Sequence, residues 1–135
     1  MSNRDQKFFR CAHCGNIVGL VHDESVLRDA SVPLVCCGDD MIAMEANTSD
    51  GAREKHVPAV SWSEGILTVQ IGSALHPSTE EHHIDWIYVK TEFGGQRKGF
   101  IPGDAPCASF CFVDDVPQEV FAYCNLHGLW KLELK

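Results

Sequence analysis

The sequence predicts an all-β protein: an immunoglobulin-like antiparallel β-sandwich over residues 44–135, with a small four-cysteine metal-binding domain in front of it over residues 1–43. Two observations carry this reading. From about residue 56 onward, short runs rich in Val, Ile, Phe, Tyr and Trp alternate with turn residues. Before residue 44 there are four cysteines but few large apolar residues beyond Phe8, Phe9 and scattered Val, Leu and Ile. So small a core needs a bound metal to supply the missing folding energy.

The β-rich runs are HVPAVSW, ILTVQIG, HIDWIYVKTEF, KGFIPG, ASFCFV, EVFAYC and LWKLEL. They are separated by Glu64-Gly65, a polar His-rich loop, Gly94-Gly95 and further Pro, Asp and Asn positions. About seven strands in roughly 80 residues suit a sandwich. No amphipathic segment of helix length competes with them, although HDESVLRDASV (residues 22–32) is expected to form a short helical turn. Trp62, Trp86 and Trp130 are read as core residues. If ASFCFV is a strand, Cys107 and Cys111 lie roughly 13 Å apart along it, too far for a disulfide, and buried free thiols are expected.

Charge and composition narrow the function. The N-terminus MSNRDQKFFR has no apolar core of signal-peptide length, and no run approaches the roughly 20 apolar residues of a membrane span. A cytoplasmic, soluble protein is expected. The formal net charge of -8 argues against a nucleic-acid partner. It also repels small anions at long range, so an anionic substrate would need a local positive centre. Seven cysteines in 135 residues read as thiols or metal ligands in that compartment.

Cys11-Ala-His-Cys14-Gly15 is a CxxC knuckle, and Cys36-Cys37-Gly38 supplies a second sulfur pair. Four thiolates at this spacing make a tetrahedral shell that accepts iron or zinc. A structural zinc knuckle without redox function stays open. His13, inside the knuckle, is read as a solvated loop residue. The C-terminal part carries three further clusters: Glu54-Lys55-His56-Val57-Pro58 opening the first strand of the sandwich, His76-Pro77-Ser78-Thr79-Glu80-Glu81-His82-His83-Ile84-Asp85-Trp86, and Cys124-Asn125-Leu126-His127-Gly128-Leu129-Trp130. A single His is more often a surface or core residue than a ligand. Three clusters, one of them a CxxH, point to a second metal centre.

In order and in nearly all internal spacings, CAHCGN, LVCCGD, EKHVP, HPSTEEHHIDW and CNLHGLW resemble the motifs of the desulfoferrodoxin and superoxide reductase family, and the resemblance covers nearly the whole chain. It implies a desulforedoxin-like, rubredoxin-like domain holding iron on Cys11, Cys14, Cys36 and Cys37, with zinc an alternative occupant. It implies a catalytic iron on His56, His76, His82, His127 and the thiolate of Cys124, with His127 binding through the ring nitrogen nearer the backbone. Glu54 and Lys55 are implied as catalytic residues: Lys55 steers superoxide and aids protonation through water, and Glu54 takes the open coordination position once iron is oxidised. Both can reach one metal only from an irregular segment, since on a strand they point to opposite faces, so residues 48–52 are read as a mobile lid. Trp86 and Trp130 are expected beside the iron pocket.

The implied activity is reduction of superoxide to hydrogen peroxide, with a small rubredoxin-like electron donor and a homodimeric assembly. Competing readings are a two-centre electron carrier, disfavoured by the open position and by Glu54-Lys55, and a zinc-stabilised structural module. The chain departs from the family in three places. The Cys14–Cys36 stretch is longer than usual. His83 stands where an aromatic residue is usual and is assigned to packing or solvent. Ser78 and Thr79 replace a Met and an acidic residue, and neither is expected to touch a ligand.

Overall fold

The computed structural model describes residues 6–21, 34–49 and 51–134; the helical turn expected at residues 22–32 lies outside the described residues. The chain divides into two compact units, Met1–Glu45 and Ala46–Lys135.

In the first unit, β1 (Phe8–Arg10) lies between β2 (Ile17–Gly19) and β5 (Ile42–Ala43), both antiparallel to it. The short strands β3 (Val35–Cys36) and β4 (Asp39–Asp40) form a separate hairpin. Among the described residues of this unit the buried apolar side chains are Phe8, Phe9 and Cys11. Within these described residues, that burial is too little to offset the roughly 1–2 kcal/mol lost on ordering each backbone residue.

The second unit is an antiparallel sandwich. One sheet has three strands: β10 (Cys107–Cys111), β7 (Ile66–Ile71) and β6 (Pro58–Ser63), in that order. The other has four: β12 (Gly128–Glu133), β11 (Pro117–Cys124), β8 (Ile84–Thr91) and β9 (Gly95–Gly99). Alternation at period two assigns the inward rows. Leu67, Val69 and Ile71 of β7 meet Ile84, Ile87 and Val89 of β8, Phe110 of β10, and Val120, Ala122 and Cys124 of β11 in one buried cluster. Cys124 is the last member of its inward row, so the strand delivers its thiol to one end of the core.

Four readings of the sequence are corrected here. The first strand begins at Pro58; Arg53–His56 instead form one helical turn, α1. The strand expected at KGFIPG lies earlier, at Gly95–Gly99, where Gln96, Arg97 and Lys98 pair with Val89, Tyr88 and Ile87; hairpin register, not apolar content, decides its place on this exposed edge. Cys107 and Cys111 are exposed rather than buried, because Phe110 takes the inward position on β10 and the two thiols share the outer face. Trp62 is 51% exposed, beside Phe112 with ring centroids 6.1 Å apart.

The edges of the two sheets are bridged. From β9, the Gln96 side-chain amide donates to the Cys111 carbonyl at 2.8 Å, and the Lys98 ammonium donates to the Ser109 carbonyl at 2.5 Å. Lys98 also lies over the Phe110 ring, 5.1 Å from its centroid.

Candidate metal centres

In the first unit, two tight turns bring four sulfurs together. Gly15 (φ +79) and Gly38 (φ +83) occupy left-handed conformations that L side chains rarely adopt, and each lets the chain fold back just after a cysteine pair. The Cys14 and Cys36 sulfurs are 3.7 Å apart and those of Cys36 and Cys37 are 3.9 Å apart. Tetrahedral bonds of 2.3 Å to one metal would set neighbouring sulfurs about 3.8 Å apart. Ligand-capable atoms of Cys11, Cys14, Cys36 and Cys37 all lie within 4.8 Å of one another.

The chemistry of this cluster also suits a cation. Backbone N–H groups, first that of Cys14, hold the Cys11 thiol down at about 6. Hydrogen bonding with the Cys14 and Cys11 sulfurs pushes Cys37 up to about 12, and Cys36 is raised by the same neighbours. A thiolate thus settles readily at one position while its neighbours resist further negative charge, and a bound cation removes that conflict. His13 turns away from the sulfurs toward the Asp39 carboxylate, 2.5 Å from it and half exposed.

In the second unit the site forms at the end of the sandwich where Cys124 emerges. His56 closes α1 just before β6, His76 follows β7, His82 precedes β8, and His127 precedes β12. The main-chain N–H of His76 donates back to Ile71 at 2.8 Å, closing the loop after β7. A register shift in the β8–β11 pairing, where Tyr123 faces Trp86 but Cys124 faces Ile84, is a bulge that re-aims the strand end beside the site.

The four imidazoles form a closed square. Neighbouring ring centroids are 4.7 Å (His76–His56), 4.8 Å (His56–His127), 5.1 Å (His127–His82) and 4.5 Å (His82–His76) apart, all near perpendicular, and the diagonal His56–His82 is 6.0 Å. Nε2 of His56 lies 3.2 Å from Nε2 of His76 and 3.1 Å from Nδ1 of His127. Metal–nitrogen bonds of about 2.1 Å at right angles require about 3.0 Å. The Cys124 sulfur, fully buried, sits 3.8 Å from the His127 Nδ1. His127 thus offers the ring nitrogen nearer the backbone.

Several features prepare these rings as neutral donors. The Nδ1–H of His56 donates to the Ala52 carbonyl at 2.6 Å and that of His76 to Pro77 at 2.7 Å, leaving Nε2 lone pairs aimed inward. Burial lowers the pKa of His56 and His82 and takes His76 down to about 4, while burial raises the Cys124 thiol. Nε2 of His82 is buried without a hydrogen-bond partner. An unpartnered acceptor among three other imidazoles and a thiol suits the binding of a metal cation. Trp130 stacks on His56 at 4.8 Å. Trp86 stacks on Tyr123 at 5.8 Å, its partner across the β8–β11 ladder.

Glu54 and Lys55 are exposed on α1. The charge of Lys55 reaches the rings of His56 and His82, where it disfavours their protonation. Gly51, in the segment read as a lid, lies directly on the square: a Cβ there would be 3.0 Å from His127 and from His56. The Ser49 hydroxyl donates to the His127 carbonyl at 2.6 Å. His83 stays out of the square, with its Nδ1 2.8 Å from the Thr79 carbonyl and its Nε2 2.9 Å from Asp85.

The sequence reading missed three supports. Gly72 is buried against the backbone of Glu54 and Lys55, where a Cβ would come within 2.3 Å of the Glu54 carbonyl oxygen. That carbonyl also accepts from the Ala74 N–H at 2.9 Å and the Ser73 hydroxyl at 3.2 Å. Gly72→Ala is expected to force the turn aside and to lower stability by about 1–3 kcal/mol, read as a lower urea midpoint. Thr79, expected to touch no ligand residue, hydrogen-bonds the main chain of His82. Asn125 reaches across to the same loop. A Gly at a strand end or a Thr three residues before a His is too common a signal to single out.

Fold and donor sets together define a metalloprotein with two separate centres, one all-sulfur and one of four imidazoles and a thiol. A desulfoferrodoxin family model matches residues 48–133. The chain is 44% identical over 129 residues to a desulfoferrodoxin of Nitratidesulfovibrio vulgaris, covering 94% of this chain and 95% of that one. It is 37% identical over 114 residues to a superoxide reductase of Pyrococcus horikoshii, covering 70% of this chain and 98% of that one. Among solved structures, the superoxide reductase from Treponema pallidum superposes with a TM-score of 0.79 at 32% identity, covering 96% of this chain and all of that one. The chain belongs to the desulfoferrodoxin family. No helix among the described residues is long and apolar enough to cross a membrane.

Proposed function

We propose that the protein is a superoxide reductase, in which superoxide takes up one electron and two protons at the imidazole–thiol centre and leaves as hydrogen peroxide. The observation that carries this reading is the square of four imidazoles closed from the core side by the Cys124 thiol, in a chain 37% identical to a protein named for that activity. His56, His76, His82, His127 and Cys124 hold iron in this reading, and the iron supplies the electron. Four neutral donors and one thiolate leave much of the metal's charge uncompensated, which draws in a small anion despite the acidic exterior.

Lys55 adds a second positive charge beside the rings and holds the water that delivers a proton to the departing peroxide. Glu54, on the same helical turn, covers the outer face of the square after turnover. The N-terminal unit, with Cys11, Cys14, Cys36 and Cys37 around iron, relays electrons; zinc there would preserve the fold and end the relay. The donor in this reading is a small rubredoxin-like carrier, the assembly a homodimer, and the compartment the cytoplasm, where seven free cysteines stay reduced.

The decisive test is to follow the decay of pulse-generated superoxide with the iron-loaded protein; decay at the uncatalysed rate with both centres filled would refute the reading. Lys55→Ala is expected to slow the bimolecular step roughly tenfold at low ionic strength and much less at high salt, measured by the same pulse method. Equal slowing at both salt concentrations would remove the steering role.

A further inference from the structure

Resting on the ligand reading above, we infer that Thr79 and Asn125 are positioning residues that hold the ring of His82 in the metal centre by gripping its main chain from both sides. His56 and His76 are each oriented through a ring nitrogen bonded to a carbonyl. His82 is placed through its backbone. On one side, the Thr79 hydroxyl accepts the His82 N–H at 3.1 Å and donates to the His82 carbonyl at 3.2 Å, while the Thr79 main-chain N–H donates to the same carbonyl at 2.9 Å. On the other, Asn125 spans His82: its Oδ1 accepts the His83 N–H at 2.8 Å, and its Nδ2 donates to the Glu81 carbonyl at 3.0 Å. The Asn125 main-chain N–H closes the link, donating to the His83 carbonyl at 3.2 Å.

The geometry has a chemical consequence. Asn125 directly follows Cys124 and lies two residues before His127. One amide side chain therefore ties the loop carrying His82 to the loop carrying two other donors, fixing the distance between ligands that are 42 and 45 positions apart in the chain. The orphaned Nε2 of His82 faces the other rings because that loop is fixed at both flanks. Partners that orient ligands in this way typically contribute 10–100-fold to metal affinity.

The test uses the full chain with both centres loaded with cobalt(II), challenged with EDTA, following loss of each centre's separate visible absorption. Thr79→Val removes the hydroxyl at near-constant volume. Asn125→Asp keeps the acceptor for His83 but loses the donor to Glu81. Each is expected to speed metal loss from the imidazole–thiol centre by about tenfold and the double variant by up to about 100-fold. Both should also alter the cobalt ligand-field spectrum of that centre, which a loss of general stability alone would not do. The four-sulfur centre, in the other unit, serves as internal control and should lose metal at the wild-type rate. Ser78→Ala, whose hydroxyl accepts from the Gly103 N–H instead, should behave as wild type. Wild-type release rates and spectra in the double variant would overturn the inference while leaving the ligand reading intact. A wild-type protein taking cobalt only at the four sulfurs would overturn both.

Discussion

Cys124→Ser abolishes the visible thiolate-to-iron absorption of the second centre and lowers superoxide consumption more than 100-fold, beyond the 10–100-fold typical of losing a supporting partner. The expectation follows from where β11 ends. Val120, Ala122 and Cys124 share one inward row, so the thiol arrives from the hydrophobic core, fully buried and 3.8 Å from His127. Burial raises its pKa against the opposing pull of the His127 and Leu126 N–H groups, and a cation at the centre of the square would favour the thiolate further. Serine fits the space, but its hydroxyl neither ionises in that setting nor donates charge as sulfur does. A visible spectrum and a pulse-radiolysis trace on the same sample check both halves. Retention of colour and activity would place the thiolate elsewhere.

Removing the metal from the first unit with a strong chelator, or by Cys36→Ser, unfolds that unit and leaves the sandwich intact. Burying Phe8 and Phe9 contributes only about 1.5–3 kcal/mol each, whereas a structural four-ligand site contributes roughly 10–16 kcal/mol. Amide hydrogen exchange reads the outcome residue by residue. The N–H groups of Cys11, Gly15, Leu20 and Met44, which bond to Asn16, Cys11, Lys7 and Phe8, lose their protection. Those of Val69, Ile87 and Val120, in the ladders of the sandwich, keep theirs. Loss of protection in both units together would mean that the two fold as one.

Much of this was legible in the chain itself, for a physical reason. A strand run such as ILTVQI must alternate to bury one face, a run such as EVFAYC is apolar almost throughout because it is buried on both faces, and metal knuckles must place Cys and Gly at fixed steps, so all leave local signatures. What escaped depends on non-local pairing or on backbone. The strand Gly95–Gly99 contains no large apolar residue and is defined only by its pairing with β8. The outward turn of Cys107 and Cys111 follows from which register β10 adopts on β7. Trp62 was misread because a large aromatic side chain is usually a core residue, and here it lies near a hairpin tip. Gly72 and Thr79 act on main-chain atoms, where composition carries no trace of the partner.

The side chains that β9 sends across to β10 have an outcome for the molecule's behaviour in a crowded solution. An unsatisfied strand rim is a template on which another chain can grow, the first step toward fibrils and exchanged segments. Here two carbonyls on that rim already accept hydrogen bonds, one from the Gln96 amide and one from the Lys98 ammonium. With those acceptors occupied, less of that rim is open to strand addition by another copy.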